Sequence, residues 1–226
     1  MNDIITSAIK KGQKALSEYD SKRIIQSLGI AITREDLALK EEDAVVFAEQ
    51  YGYPVVLKGC SHTLTHKTEF GMVKLNLKNS AEVRKAYQEI VSAGLNLDGV
   101  LVQEMIKGDR EFVMGLSRDP QFGPCVMFGM GGIYTEIMKD VSFRIAPITR
   151  DDAAEMLEEI RMKELLDEFR GSPAVERDTL INALVAIGNL GFNNDEIAEI
   201  DINPVIICGN KPVVVDALVI LNTTSD

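Results

Sequence analysis

The feature that most constrains the fold of this chain is a pair of apolar segments near its C-terminal end, each interrupted by acidic residues. In the first, apolar residues alternate strictly with Glu199, Asp201 and Asn203. Because successive side chains of a strand point to opposite faces, this period of two places the three polar groups on one face. The second, Val213–Ile220, is apolar except for Asp216. A buried carboxylate without a partner is strongly unfavourable, so Asp216 needs a partner or a metal ion.

Two interpretations of these strands remain open from spacing alone. Asn203 and Asp216 on neighbouring strands offer the amide oxygen and the carboxylate that Mg²⁺ prefers, with nucleotide phosphates and water completing its shell. The alternative is a polar outer face of a sheet, with Asp216 capped by another side chain.

A second candidate site surrounds the two histidines of the chain, His62 and His66, which follow an apolar run ending at Lys58. Their spacing of four would suit a zinc-binding helix, but the β-branched Thr63 and Thr65 disfavour a helix, and no third ligand lies nearby. A phosphate-carrying loop needs one imidazole only, and Lys58 is placed to meet a phosphoryl donor. Chance is the third possibility.

The glycines at 129 to 132 begin like a dinucleotide-binding fingerprint, but Tyr134 stands where its third glycine is required. They fit either a tight hairpin turn or a loop whose N–H groups cover phosphates. No phosphate-binding loop of the Walker type occurs in the sequence.

Charge and composition exclude several classes of protein. The 226 residues carry a net charge of −11, which disfavours nucleic-acid binding and favours holding an anionic substrate together with a divalent metal. No run of about 18 apolar residues predicts a membrane span, and no basic leader opens the chain. Three distant cysteines are typical of a reducing compartment. We therefore expect a cytoplasmic protein without nucleic-acid or membrane partners.

Helical and strand patterns alternate along the chain, which predicts an α+β fold. Apolar spacing predicts a helix over residues 41 to 51, and Val55–Leu57 reads as a short buried strand. Gly108-Asp109, between two strand-like runs, predicts a hairpin. The polar stretch 94 to 99 predicts a boundary between two lobes near residues 95 to 100.

Seven motifs carry a resemblance to a known family. In order they are Y-P-V-V-L-K ending at residue 58, H-K-T-E-x-G at 66 to 71, V-L-V-Q-E-M-I at 100 to 106, S-R-D-P-Q-F-G-P at 117 to 124, F-G-M-G-G at 128 to 132, K-D-V-S-F-R at 139 to 144 and E-I-D-I-N-P at 199 to 204. From about residue 10 onward the chain resembles the ATP-grasp, or beta, subunit of the ADP-forming (NDP-forming) acyl-CoA synthetases, such as acetyl-CoA synthetase. It is similar more distantly to the nucleotide-binding lobe of succinyl-CoA synthetase.

The resemblance implies a single ATP-grasp domain over residues 1–226, with the nucleotide in a cleft between two lobes. The implied N-terminal lobe, 20–97, contains the histidine loop, and the C-terminal lobe, 98–226, contains the nucleotide and Mg²⁺ site. The implied reaction converts acyl-CoA, ADP and phosphate into acid, ATP and CoA, with a phosphoryl group passing between a phosphohistidine and ADP or ATP.

The resemblance also implies roles for individual residues. His66 relays the phosphoryl group, Asp201 orients an incoming phosphohistidine, and Asn203 and Asp216 bind Mg²⁺. The remaining positions contact the nucleotide: Lys58 its phosphates, Glu104 and Ile106 the adenine edge, Glu111 the ribose, and Gly131 and Arg144 the lining of the cleft. Two departures from the family pattern, His62 in place of proline and Met72 in place of glycine, put the geometry of the loop in question but not the identity of His66.

The partner implied by the resemblance is a CoA-binding alpha subunit with its own phosphohistidine loop, in an α2β2 assembly. The apolar side of an N-terminal helix, with Ile4, Ile5 and Ile9, is the candidate contact surface. Two rival functions are a free-standing ATP-grasp ligase, which would activate a carboxylate without a histidine, and a non-catalytic nucleotide sensor.

Overall fold

The computed structural model describes residues 2–63, 71–132 and 140–222. They form two antiparallel sheets with helices packed on them, which confirms the predicted mixture of helices and strands. The helices are α1 (Asn2–Lys10), α2 (Glu18–Ser27), α3 (Glu41–Tyr51), α4 (Ser80–Ser92), α5 (Arg150–Glu159) and α6 (Arg177–Asn193), with a 3₁₀ turn at Lys163–Leu166. The strands are β1 (Glu35–Ala38), β2 (Val55–Cys60), β3 (Val73–Leu77), β4 (Gly99–Glu104), β5 (Glu111–Asp119), β6 (Gly123–Met130), β7 (Val141–Ile145), β8 (Ile197–Cys208), β9 (Lys211–Val214) and β10 (Ala217–Leu221).

The smaller sheet has the strand order β1-β4-β2-β3 and carries α3 and α4. Its core consists of small and branched side chains, including Ala44, Ala48, Val83 and Ile90. The helix predicted over residues 41 to 51 is confirmed. It ends at Gly52, whose φ of 83° takes the chain out of the helix and whose N–H donates to the Ala48 carbonyl.

The larger sheet has the order β10-β8-β5-β6-β7, and β9 pairs with the far end of β8. Helices α5 and α6 cover one face, over a core in which Phe112 and Phe128 stack with their ring centroids 5.5 Å apart. Thr149 and Asp152 form a capping box at the start of α5.

The first two helices belong to the core of the larger sheet although they come first in the chain. Ile24 and Ile25 of α2 are fully buried there, and α2 is capped by Ser17, whose Oγ accepts from the Asp20 N–H. Ile5 of α1 is buried in the same core and Ile4 packs against it. The prediction that this side of α1 contacts a partner is therefore wrong for Ile5, which the chain itself covers, and stays a prediction for Ile9, which is 38% exposed.

The predicted hairpin at Gly108-Asp109 is also wrong. Strand β4 pairs with β1 and β2 in the smaller sheet, whereas β5 pairs with β6 and β8 in the larger one. The segment between them is a linker. A side chain at Gly108 would place its Cβ 2.4 Å from the Ile207 carbonyl oxygen, so the glycine permits a close passage along β8.

The chain passes from the smaller sheet to the larger sheet at this linker, after Glu104, whereas the predicted lobe boundary lies before β4. The division into two lobes between residues 97 and 98 stays a prediction. By its pairing, β4 belongs to the smaller sheet. Within the described ranges, no helix has the length and apolar character needed to cross a membrane.

Candidate functional site

The face of the larger sheet opposite α5 and α6 bears the acidic residues of β8. Glu199 and Asn203 are exposed and Asp201 is half-buried, while Ile200 and Ile202 are buried in the core. The strict alternation in the sequence therefore corresponds to two faces of one strand, as predicted.

Asn203 and Asp216 lie opposite each other at the start of β10. The Asn203 N–H donates to the Asp216 carbonyl oxygen at 3.2 Å, next to the pairing of Ile202 with Ala217. In the parts of the chain that the structure describes, no three His, Cys, Asp or Glu side chains form a metal site of their own. One carboxylate and one amide nevertheless fit Mg²⁺ that takes its other ligands from phosphates and water.

Asp201 lies between this pair and Glu199 on the same face. Burial raises the pKa of the Asp201 carboxyl to about 6, and the negative charges of Glu199 and Asp216 add to the shift. Three carboxyl groups on this face therefore lie close enough to affect one another's charge.

Lys58 is buried where the smaller sheet meets the strand connection that carries Asp216. Its Nζ donates to Glu18 Oε1 at 2.7 Å and to the Val215 carbonyl at 3.1 Å, and it lies 3.4 Å from Asp216 Oδ2. Burial acts to lower the pKa of Lys58, but Asp216 and Glu18 together raise it above its ordinary value. The lysine is therefore a fixed cation beside the candidate metal ligand, and its contact with nucleotide phosphates stays a prediction.

Lys22, a second buried cation that the sequence did not single out, lies next to Lys58. Its ammonium donates to Thr33 Oγ1 at 2.7 Å, to the Val215 carbonyl at 2.9 Å, to Gln103 Oε1 at 3.3 Å and to Glu35. Burial and then the charge of Lys58 lower the pKa of Lys22, while the carboxylate of Glu35 opposes that shift.

One signal for this buried cluster was present in the sequence. The buried positions of α2 include residues 18, 21, 22 and 25, so Glu18 and Lys22 occupy the side of the helix where apolar residues are expected.

Glu111 and Gly131 meet at the ends of β5 and β6. The Gly131 N–H donates to the Glu111 carbonyl at 2.8 Å, and a Cβ at Gly131 would lie 2.9 Å from the Glu111 backbone. Both residues line a cavity of about 720 Å³, together with the apolar side chains of Met162, Leu165 and Phe169. A cavity of this size and composition is typical of small-molecule sites.

Glu104 and Ile106 flank the beginning of the linker between the sheets. The Glu104 carboxylate accepts from the Arg34 N–H at 2.8 Å and from Arg34 Nε at 2.7 Å, and its own N–H donates to the Arg34 carbonyl. Ile106 is half-buried. Arg34, which the sequence did not single out, thus fixes the segment predicted to meet the adenine.

Arg144 on β7 is held by α5. It pairs with Glu159 at 2.5 Å and with Glu155 at 3.3 Å, and it is not among the described residues that line the cavity. Its place in the nucleotide cleft stays a prediction.

Of the two histidines, the structure describes His62. His66 lies outside the described residues. The His62 N–H donates to Asp98 Oδ2 at 3.0 Å, and His62 Nδ1 lies 3.2 Å from the same oxygen. This contact anchors the start of the histidine loop to the segment before β4.

Comparison with known proteins identifies a family model and close relatives. The model of the ATP-grasp domain matches residues 7–221. The beta subunit of acetate–CoA ligase [ADP-forming] I from Pyrococcus furiosus is 43% identical over 225 residues, which are 97% of each chain. The 4-hydroxybutyrate–CoA ligase [ADP-forming] of Nitrosopumilus maritimus is 37% identical over 90% of this chain, but the match spans only 30% of that longer protein.

Solved structures of the acetyl-coenzyme A synthetase 1 of Candidatus Korarchaeum cryptofilum are also similar. One, in complex with coenzyme A, Ca-AMPCP and HgCl⁺, has a TM-score of 0.93 and 44% identity, covering 98% of this chain and 99% of that one. Another has a TM-score of 0.86 and 44% identity with the same coverage. It contains coenzyme A and Mg-AMPPCP, and its phosphohistidine segment points towards the nucleotide-binding site.

Proposed function

Because the chain belongs to the ATP-grasp family, among the beta subunits of the ADP-forming acyl-CoA synthetases, we propose that its acidic sheet face and Lys58 pass a phosphoryl group between phosphohistidine and ADP. It is the nucleotide-binding subunit of an acid–thiol ligase that converts acyl-CoA, ADP and phosphate into acid, ATP and CoA. ATP or ADP and Mg²⁺ are its cofactors.

The observation that carries the proposal is the meeting of Lys58, Asn203 and Asp216 where the two sheets approach. Phosphoryl transfer requires mainly alignment and charge neutralisation from the protein. Lys58 is a cation held 3.4 Å from Asp216, and Asp216 is bonded through its carbonyl to Asn203. When bound, Mg²⁺ held by Asn203 and Asp216 would neutralise phosphate charge.

Asp201 supports the second half of the reaction. In ATP formation the P–N bond of the phosphohistidine breaks and a P–O bond forms to the terminal phosphate oxygen of ADP. The imidazole ring takes the electron pair of the broken bond. We infer that the Asp201 carboxylate accepts a hydrogen bond from the other ring N–H and so holds the donor in line.

A single row of paired residues supports docking of a partner near Asp201. Asp201, Gly115, Met127 and Phe143 are paired in register across β8, β5, β6 and β7. Phe143 is 52% exposed on this face. A row that runs from an acidic to an apolar side chain is suited to a protein surface that carries a phosphohistidine segment, and we propose a CoA-binding alpha subunit in an α2β2 assembly.

The identity of the acid is proposed to depend on the partner. Relatives named for acetate and for 4-hydroxybutyrate share 43% and 37% identity with this chain. The match to the second covers 30% of its length, which leaves the greater part of that protein for acid and CoA. We therefore infer that this chain serves the nucleotide half-reaction whatever the acid is.

Labelling of His66 tests the relay. Incubation with Mg·ATP should give an acid-labile, base-stable adduct, because phosphoramidates hydrolyse in acid. His66→Ala should abolish the adduct and His62→Ala should keep it. Because the main phosphohistidine is expected on the partner, the assay should be run with and without the partner subunit.

The His66→Ala variant, assayed also for ADP release, separates the rival functions. A free-standing ligase would keep full carboxylate-dependent ADP release in His66→Ala. A nucleotide sensor would bind Mg·ADP without forming an adduct or turning over in the presence of the partner.

A further inference from the structure

We propose that Lys22 is a positioning residue for the metal ligand Asp216, acting through the backbone carbonyl of Val215. The inference rests on the proposed function, since Asp216 is taken there as a ligand of Mg²⁺. It adds a fully buried residue whose proposed action passes through the backbone.

The first step of the argument is that both buried lysines donate to one carbonyl. Lys22 Nζ lies 2.9 Å and Lys58 Nζ 3.1 Å from the oxygen of Val215, the residue before Asp216. The Val215 N–H in turn donates to the Pro204 carbonyl at 3.0 Å, one residue beyond Asn203. Both backbone polar groups of Val215, the residue before Asp216, are therefore held by hydrogen bonds.

The second step concerns what holds Lys22 itself. Its side chain is completely buried, and it donates to Thr33, Glu35 and Gln103 besides Val215. These partners lie just before β1, on β1 and on β4. Lys22 thus connects β1 and β4 of the smaller sheet to the segment between β9 and β10. We infer that the position of Asp216 depends on that sheet.

The third step separates positioning from simple charge balance. Glu35 accepts through Oε2, while its Oε1 is buried without a hydrogen-bond partner in the described chain. Loss of Lys22 alone would leave Glu35 as a buried, uncompensated carboxylate and would destabilise the fold. A merely structural role would be fully restored by removing both charges, whereas a positioning role would not.

The experiment compares Lys22→Met with the double variant Lys22→Met/Glu35→Gln. Calorimetry should measure ADP binding as a function of Mg²⁺ and again in EDTA, and thermal unfolding should report stability. We expect the double variant to recover most of the thermal midpoint lost in Lys22→Met. The Mg²⁺ concentration that the double variant needs for half-maximal ADP binding should stay about tenfold or more above that of the parent. This is the effect typical of residues that orient metal ligands. Binding in EDTA should change much less.

A matched control is Arg118→Met. Arg118 is a partly buried cation that donates to the carbonyls of Gly191, Asn194 and Ile197, away from Asp216. This variant should unfold at a lower temperature and keep the parent's Mg²⁺ requirement.

The proposal would be overturned if the double variant regained both the thermal midpoint and the low Mg²⁺ requirement of the parent. An equal rise of the Mg²⁺ requirement in Arg118→Met would overturn it as well. A parent chain that shows no Mg²⁺-dependent ADP binding would instead overturn the proposed function, and this inference with it. If Lys22→Met does not fold, the double variant alone decides, because it lacks the uncompensated carboxylate.

Discussion

Asp216 is the one charged side chain of the proposed metal pair, so its replacement tests that pair most simply. Asp216→Asn should weaken ADP binding in Mg²⁺ by about tenfold to a hundredfold, since a hydrogen bond or ligand contact to a charged group contributes about 1.5–3 kcal/mol. Calorimetric titration with ADP at fixed Mg²⁺ measures the effect. Glu196→Gln removes an equal charge at an exposed position before β8 and should leave binding near the parent value. Equal binding by Asp216→Asn would make Asp216 a structural carboxylate only.

Gly115, paired with Asp201 across β5 and β8, is constrained by backbone contact. A Cβ at this position would lie 2.3 Å from the Ile200 carbonyl oxygen, so Gly115→Ala forces the strands apart. We expect a loss of about 1–3 kcal/mol in the free energy of unfolding, as for other overpacked sites. Urea denaturation measures it. At Gly59 the nearest atom is Met72 Sδ at 3.1 Å, on a flexible side chain, so Gly59→Ala should cost less. An equal cost for both would contradict the backbone argument.

At the scale of elements, the contact between β7 and α5 should depend on pH. Bonding to Arg144 and then to Ser142 lowers the pKa of Glu159 to about 2, below its unfolded value of about 4.5. A carboxyl with a lowered folded pKa stabilises the fold above its unfolded pKa, and this contribution is lost as the pH falls from about 4.5 towards 2.

Glu159→Gln should therefore flatten the decline of the thermal midpoint between pH 5 and pH 3. Glu168→Gln, at an exposed position, should follow the parent. The effect is small, because Glu159 is half exposed and solvent screens the pair. A parallel decline in parent and Glu159→Gln would mean that this ion pair does not stabilise the fold.

The elements that the sequence predicted well are those with local signals. The alternation around Asp201 needs only the period of a strand, and the helix at 41 to 51 needs only its own apolar spacing and Gly52. The pairing of β4 could not be predicted in this way. Gly108-Asp109 is a local turn signal, whereas membership of a sheet is decided by pairing with distant strands.

For the candidate site, too, only the features with a local sequence signal could be predicted. The apolar strand patterns predicted Asn203 and Asp216 on neighbouring strands, and the Asn203 N–H donates to the Asp216 carbonyl. Their binding of Mg²⁺ stays a prediction. Lys22 and Glu35 were missed because their roles arise only when α2 and β1 pack around the Val215 carbonyl. The charged residues on the buried side of α2 were the available signal, but their partners can be identified only when the arrangement of the two sheets is known.

At the scale of the whole molecule, the chain should catalyse no thioester chemistry alone. With Mg·ATP, CoA and a panel of carboxylic acids, the purified chain should release no CoA-dependent ADP, and release should begin when the CoA-binding subunit is added. The physical reason is that the residues proposed for this chain serve the nucleotide half-reaction, so acid and CoA are expected to bind to the second subunit. Robust turnover by the chain alone would contradict the two-subunit account.

The most direct test of the central claim follows the phosphoryl group itself. The CoA-binding subunit is phosphorylated on histidine with ³²P, freed of small molecules, and mixed with this chain and Mg·ADP in a single turnover. The account predicts that label leaves the histidine and appears in ATP, only when this chain is present, and more slowly with Asp216→Asn. Label that stays on histidine, or leaves only as inorganic phosphate while the chain binds Mg·ADP, would contradict it.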